Sequence, residues 1–350
     1  MPIRRSICVT SVGGDSSSAG RTSSRASTNG LARLGASLPA SKGGRMPPRQ
    51  QLPDHLAARP FRVRDAAASG IGEGRLRGPD LSRPFHGVRA SAVEPQSLLS
   101  MCVAYSARMR ASEVFSHGTA AELHGLPLPR RMRGQLHVAA FVPEGLPRAA
   151  GVRGHRAQPG GVRVVRRFGL SVVDPVDAWC QLAGSLTERE LVVAGDALVR
   201  RQQPLATLEE LEREVRRRAG RRGQRRLVGA LGRIRPRTDS PQETELRLDI
   251  VDFGLPEPEV NVEISDHDGR RIAIADLAFS AYRVAAEYDG EHHRTDRHQY
   301  ARDVDRLDDV VHEGWRIVRF NASHRGILRR QRLARLRDAL IASGWRPDVS

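Results

Sequence analysis

RIAIADLAFSAYRVAAEYD, residues 271–289, decides how the C-terminal third of this chain folds. Apolar residues fill both halves, and the pattern breaks only around Ser280 to Tyr282, so RIAIADLAF (271–279) and YRVAAEYD (282–289) are predicted to be two strands joined by a short turn. VNVEI (260–264) supplies a third strand through the turn-forming DHDG (266–269). The three pair as an antiparallel meander.

A turn at that point sets the register and places Asp276 opposite residues 285 to 287. Directly opposed side chains on antiparallel neighbours lie ~5 Å apart, so Asp276 and Glu287 can share one ion. Asp289 falls on the same face as Glu287 because strand side chains alternate with period two. Three carboxylates held together repel unless protons or a cation intervene. An oxygen-only set with room for water favours Mg²⁺ or Mn²⁺ over zinc.

Outward from the meander, SPQETELRLDIVDFG reads as a helix, with Ser240 as N-cap, Pro241 at the first helical position, Glu243 three residues after the cap and Gly254 closing it. After the meander come a helix from about Thr295 to His312, the strand WRIVRFN (315–321) and an Arg-rich helix from about Ile327 to Ser343. Pro236 to Pro241 breaks the periodicity before this unit, giving a domain over residues 238–350 of order αβββαβα.

Upstream, residues 1–45 are rich in Ser, Gly, Ala and Arg without periodicity and read as a disordered tail or an overextended start before Met46. Residues 46–92 are predicted to form a winged helix-turn-helix: a helix from Phe61 to Ser69, a turn at Gly70 to Gly72, a second helix from Glu73 to Leu81 and a β wing over Arg83 to Arg89. Arg75 and Arg77 would project from the second helix toward DNA. Residues 93–237 read as a mixed α/β domain, with strands in LHVAAFVP (136–143) and GVRVVRRFGLSVV (161–173), helical spacing over 176–201 and an arginine run from Arg213 to Arg226. That run is either a solvated face or a phosphate contact. His117, Glu122 and His124 look like scattered metal ligands, but no third ligand of sensible spacing is evident, so structural histidines are expected. The predicted class is α/β, of the multidomain α+β kind.

The motifs ETELRL, ADLAF, AEYDGEHH, RD..R (302–306) and GWRIVRF, in this order over roughly residues 238–343, resemble the PD-(D/E)xK restriction-endonuclease-like superfamily. More narrowly they resemble an "endonuclease domain" family akin to very-short-patch-repair endonucleases. FRVRDAAASGIGEGRLRG and SHGTAAELHGLPLP are similar, more loosely, to winged-helix antitoxins of the abortive-infection type. The first resemblance implies a metal-dependent DNA endonuclease of repair or defence, with Asp276 and Glu287 on the metal, the Tyr288 carbonyl as a further ligand and Glu243 assisting. The second implies a non-catalytic DNA-binding regulator with a toxin partner. Asp289 stands where the superfamily carries lysine, and the only lysine in the chain is Lys42. His292, His293, Arg302 or Arg306 would then supply the missing function, His293 as a water activator and the arginines as DNA contacts.

The net charge of +17 points to a polyanionic partner, because arginines displace counterions from phosphates. It is unevenly spread: residues 46–235 hold 32 basic and 17 acidic side chains, and residues 236–350 hold 18 and 22. A basic body with an acidic end suits a body that holds DNA and an end that holds metal. Cys8, Cys102 and Cys180 lie far apart and suggest neither a zinc cluster nor a disulfide framework, which fits a reducing cytoplasm. No apolar stretch reaches the ~18–20 residues that span a bilayer, so no membrane partner is expected.

Overall fold

The computed structural model describes residues 50–91, 97–289 and 308–347. The protein is a multidomain α/β chain whose modules follow one another in sequence. Among the described residues no helix is long and apolar enough to cross a membrane.

The first module comprises α1 (Asp54–Ala57), β1 (Phe61–Arg62), α2 (Val63–Ala68), α3 (Glu73–Leu76), β2 (Leu81–Ser82) and β3 (Val88–Ser91). Its antiparallel sheet runs β1-β3-β2. Leu56, Phe61, Ala66, Ile71, Leu76 and Leu81 pack into its small core. Two boundaries differ from the sequence reading. Phe61 and Arg62 leave the helix to pair with Arg89 and Val88, and the second helix stops at Leu76 because Gly78-Pro79 cannot continue it. The wing strands flank residues 83–87 rather than filling them, with Gly87 at φ 73° carrying the bend.

The middle domain opens with α4 (Leu98–Ser106), β4 (Glu113–Phe115), α5 (His117–Leu123), β5 (Leu136–Phe141), β6 (Val152–Ala157), β7 (Val164–Arg167) and β8 (Leu170–Val173). These strands form a sheet of order β6-β5-β4-β8-β7. GVRVVRRFGLSVV is thus a hairpin, turned at Phe168 and Gly169, both at positive φ. The helical spacing over 176–201 resolves into two helices, α6 (Pro175–Gln181) and α7 (Glu188–Leu198). The break is locally encoded: Thr187 and Glu190 form a reciprocal capping box that starts α7 afresh. With α8 (Leu208–Arg217) and α9 (Gln224–Arg233) they enclose a core around Trp179, whose indole N–H donates to the Leu191 carbonyl at 2.9 Å.

The last domain begins at α10 (Pro241–Asp252), capped by Ser240, whose hydroxyl accepts the Glu243 N–H at 3.2 Å. It continues through β9 (Glu259–Ser265), β10 (Arg271–Phe279), β11 (Val284–Asp289), β12 (Arg316–Asn321) and α11 (Ile327–Ala342). The sheet order is β12-β11-β10-β9, with the β9-β10-β11 meander antiparallel as expected and β12 parallel to β11. Leu246 and Ile250 from α10, Leu336 and Leu340 from α11, and Leu277, Val284 and Phe320 from the sheet form one core. Of the helix expected over 295–312, residues 308–312 are helical and the remainder lies outside the described residues.

The expected boundary at 236–241 is not a loose linker. Leu248 of α10 joins the core of the middle helices. Arg247, on α10, donates to Asp196 of α7 at 2.9 Å and to Glu257 at 2.8 Å, and Asp196 is fully buried. Around this pair Arg189 binds Glu245 and Asp249, and Arg233 binds Asp252 at 2.5 Å.

Candidate active site

The β10/β11 hairpin turns through Ser280 to Tyr282, and Arg283, at φ 48°, delivers the chain into β11. Its pairs are Phe279 with Val284, Ala278 with Ala285 and Leu277 with Ala286. One step further the same register puts Asp276 across from Glu287, as the turn position predicts. Pairing stops there for a visible reason. The Tyr288 N–H donates to the Asp276 carboxylate at 2.8 Å instead of to a backbone carbonyl. A strand amide must find an acceptor, so the acid takes over the ladder bond at the point where the strands part.

Asp276, Glu287 and Asp289 are all half-buried, on the sheet face opposite the Leu277, Val284 and Phe320 core. They do not converge as a triad: among the described residues, only His117, His137 and His155 bring one ligand atom each within 4.8 Å of the others. By register Asp276 and Glu287 are directly opposed, and Asp289 follows two residues further along the same face of β11. Two facing carboxylates suit a hard cation that keeps most of its water, as Mg²⁺ does.

Among the described residues, one cation beside these acids was not found by sequence reasoning. Arg319 on β12 pairs in register with Glu287, and its Nε lies 3.8 Å from the Glu287 carboxylate. The signal was present in WRIVRFN, but it required knowing that β12 runs parallel beside β11. Glu243, expected to assist from the first helix of this domain, is hydrogen-bonded within the protein. Its buried carboxylate accepts the Asp239 N–H at 2.9 Å and the Asn261 side-chain amide at 3.1 Å. Asn261 lies between Val260 and Val262, which pair with Leu277 and Ala275, so Glu243 supports the strand residue alongside Asp276. His292, His293, Arg302 and Arg306 lie outside the described residues.

A cavity of ≈ 630 Å³ opens beside the end of the sheet, lined by Glu245, Asp249, Tyr288, His324, Arg325 and Arg329. Arg329 is fixed there by Asp249 at 2.7 Å and lies over the Phe320 ring.

Of the two arginines of the helix-turn-helix expected to face DNA, Arg75 and Arg77, only Arg77 is displayed. Arg75 is drawn inward, its two terminal nitrogens forked onto Asp80 at 3.1 and 2.7 Å. Arg77 is exposed and pairs along the helix with Glu73 at 2.8 Å. The arginine run of 213–226 is likewise divided. Arg217 and Arg218 turn in to the buried Asp177 at 3.2 and 2.9 Å, whereas Arg221, Arg222 and Arg225 are exposed.

His124 is structural, its Nε2 2.8 Å from the Val173 carbonyl in a buried position. His117 is not. Its ring stacks on His155 with centroids 3.6 Å apart, and His137 Nδ1 lies 3.0 Å from His155 Nε2. Burial, aided by the neighbouring His155 and His137, pushes His117 down to about 2, and burial with His137 beside it pushes His155 down to about 4. All three rings are therefore neutral near pH 7, each with a nitrogen lone pair to offer.

These features define a class: an α/β chain in which a small winged module and a mixed α/β domain precede a sheet domain bearing facing acids. No protein-family model matches it. It is 30% identical over 262 residues to the uncharacterised protein MT2308 of Mycobacterium tuberculosis (strain CDC 1551 / Oshkosh), covering 70% of this chain and 86% of the relative. The same values hold for the uncharacterised protein Rv2248 of Mycobacterium tuberculosis (strain ATCC 25618 / H37Rv). The chain belongs to the family of these mycobacterial proteins.

Proposed function

We propose that the last domain is an endonuclease that hydrolyses phosphodiester bonds in DNA, with Mg²⁺ or Mn²⁺ held by Asp276 and Glu287, in repair or in defence against foreign DNA. The observation that carries the reading is the opposition of these acids where the β10/β11 hairpin opens. The resemblance to restriction-endonuclease-like domains supports it. A bound metal would lower the pKa of its water and neutralise charge developing on the phosphate. The chain's own groups do the rest. Tyr288 N–H orients the Asp276 carboxylate. Arg319, beside Glu287, takes the place of the missing lysine as the fixed positive group near the scissile phosphate. Exposed Arg325, just past the end of β12, offers a contact to the DNA backbone. The thiols of Cys102 and Cys180, free and buried, suit a cytoplasmic setting.

Purified protein should nick supercoiled plasmid in Mn²⁺ or Mg²⁺ and not in excess chelator. Asp276→Asn keeps an acceptor for the Tyr288 N–H while removing the charge, so it should fold normally and show no cleavage. Arg319→Ala should slow cleavage by roughly 10²–10³-fold, the usual effect of removing one charge-stabilising donor. Cleavage by Asp276→Asn at the wild-type rate refutes the site.

A second reading is a non-catalytic DNA-binding regulator of the antitoxin type, with a toxin as partner. It is favoured by the first module, which has its own core and wing and displays Arg77. It predicts a sequence-specific footprint that requires no metal and survives Asp276→Asn.

A further inference from the structure

We propose that His117, His137 and His155 form a binding site for a zinc-class divalent cation on the middle domain, separate from the carboxylate site. The residues are brought together by sheet topology. β5 and β6 are parallel neighbours in which His137 pairs with Arg153 and Ala139 with His155. His137 and His155 are therefore diagonal neighbours on one face. On the other side of β5 lies β4, with Phe115 opposite Val138, and β4 leads through Ser116 into His117 at the start of α5. Three elements thus each deliver one imidazole to the same place.

The spacing fits a metal. One ring nitrogen from each histidine lies within 4.8 Å of the other two, and His137 Nδ1 is 3.0 Å from His155 Nε2. Tetrahedral zinc with nitrogen bonds of about 2.0–2.1 Å separates its ligand atoms by ~3.3 Å. Only small movements convert the present cluster into a ligand set. Imidazole nitrogens favour zinc and its neighbours over Mg²⁺.

The surroundings hold the rings for this purpose. His117 is at φ 47°, a conformation that a side-chain-bearing residue adopts only when its neighbours enforce it. Its N–H is anchored by Gln181 Oε1 at 2.8 Å. Its Nδ1 lies 3.1 Å from the buried Ser116 hydroxyl, which leaves Nε2 as the atom turned to the cluster. A polar partner on the non-ligating nitrogen is the usual outer support of a metal-bound histidine. His137 is fixed by its N–H, which donates to the buried Thr119 hydroxyl at 2.7 Å. Among the described residues no cysteine or carboxylate completes the group, so a fourth position is open to solvent species. Arg153, in register beside His137, makes hydroxide or another small anion the preferred occupant.

The test uses the full chain, stripped of metal and titrated with Zn²⁺ against a chromophoric zinc chelator, and separately with Co²⁺ followed by visible absorption. One zinc per chain is expected at this site, with the intense visible bands of low-coordinate, nitrogen-ligated cobalt. His155→Ala should abolish both signals, and Ser116→Ala should weaken zinc binding about 10–100-fold. Asp276→Asn should leave both unchanged, which separates this site from the carboxylates. Circular dichroism checks that each variant folds, and if His155→Ala does not, His155→Gln and the wild-type cobalt spectrum decide. Folded wild type without the cobalt bands, zinc binding that survives His117→Ala/His155→Ala, or binding lost in Asp276→Asn overturns the proposal.

Discussion

Arg247→Met tests whether the last domain is locked to the middle helices by a buried ion pair. Arg247 is 1% exposed, and its guanidinium reaches Asp196 at 2.9 Å, the Arg233 carbonyl at 2.8 Å and Glu257 at 2.8 Å. Methionine keeps much of the volume but leaves the Asp196 carboxylate with only neutral donors, Thr244 Oγ1 at 2.9 Å and the Arg235 N–H at 2.8 Å. Stranding one charge of a buried pair costs about 3–5 kcal/mol. At about 2–4 °C per kcal/mol for a unit of this size, melting should fall by roughly 6–20 °C. Burial already pushes Asp196 above the ordinary carboxyl range, against the pull of Arg247. Without Arg247 it rises further, so the variant's deficit should be full at neutral pH and shrink toward acid pH, where Asp196 is protonated in both folded and unfolded chains. Adding Asp196→Asn should restore much of the loss, because the pair is then removed as a unit. Thermal and urea unfolding across pH provide the measurement. A loss below about 1 kcal/mol, or a double variant as unstable as the sum of the singles, would refute the argument that this contact is a coupled buried pair.

Other outcomes follow from the same geometry. The hydrogen bond from Arg131 holds Glu190 down to about 2 from its ordinary 4.5, overcoming burial. Its contribution to stability is present above pH 4.5 and is lost as pH falls toward 2, so Glu190→Gln should flatten that part of the acid-unfolding curve. Burial pushes the Cys102 and Cys180 thiols up to about 12, so in a Cys8→Ser background a disulfide reagent should label neither until the chain unfolds. Rapid labelling of the native protein would show that these sites are open. Arg75→Ala should lower the melting temperature by breaking the fork onto Asp80, whereas Arg77→Ala should leave melting unchanged and weaken DNA binding. The reverse pattern would mean that Arg75 is the surface residue.

The hairpin of residues 271–289 was legible because every constraint on it is local. Its turn lies between two apolar runs, and once the turn is placed, strand alternation assigns Asp276 and Glu287 to one face. The cap and end of α10 were readable for the same reason. What escaped depended on partners distant in sequence. Arg319 gains meaning only from the parallel pairing of β12 with β11. His137 and His155 lie on two strands, and His117 on a helix start beside a third, so no linear spacing announces the cluster. The break between α6 and α7 is a different case. The Thr187 and Glu190 capping box was written in the sequence, but the apolar periodicity on either side masked it.

The charge asymmetry has to be read differently once the domains are seen together. A basic body and an acidic end need not mean DNA on one and metal on the other, because several of these charges neutralise each other across the α7/α10 contact. Arg189 engages Glu245, Asp249 and Asp252, while Arg233 reaches Asp252 and Arg235 reaches Glu257. Arg217 and Arg218 are similarly committed to Asp177 and Glu214 within the middle domain. The positive surface left for a polyanion is smaller and more localised than the total of +17 implies. It includes Arg221, Arg222 and Arg225 at the start of α9 and Arg325, Arg330 and Arg335 at and along α11. Only the second group belongs to the domain with the facing acids. Belonging to that domain is not the same as facing the acids: Leu336 and Leu340 pack α11 against the opposite face of the sheet, so among the described residues counterion release from a nucleic acid seated at Asp276 and Glu287 would draw first on Arg319.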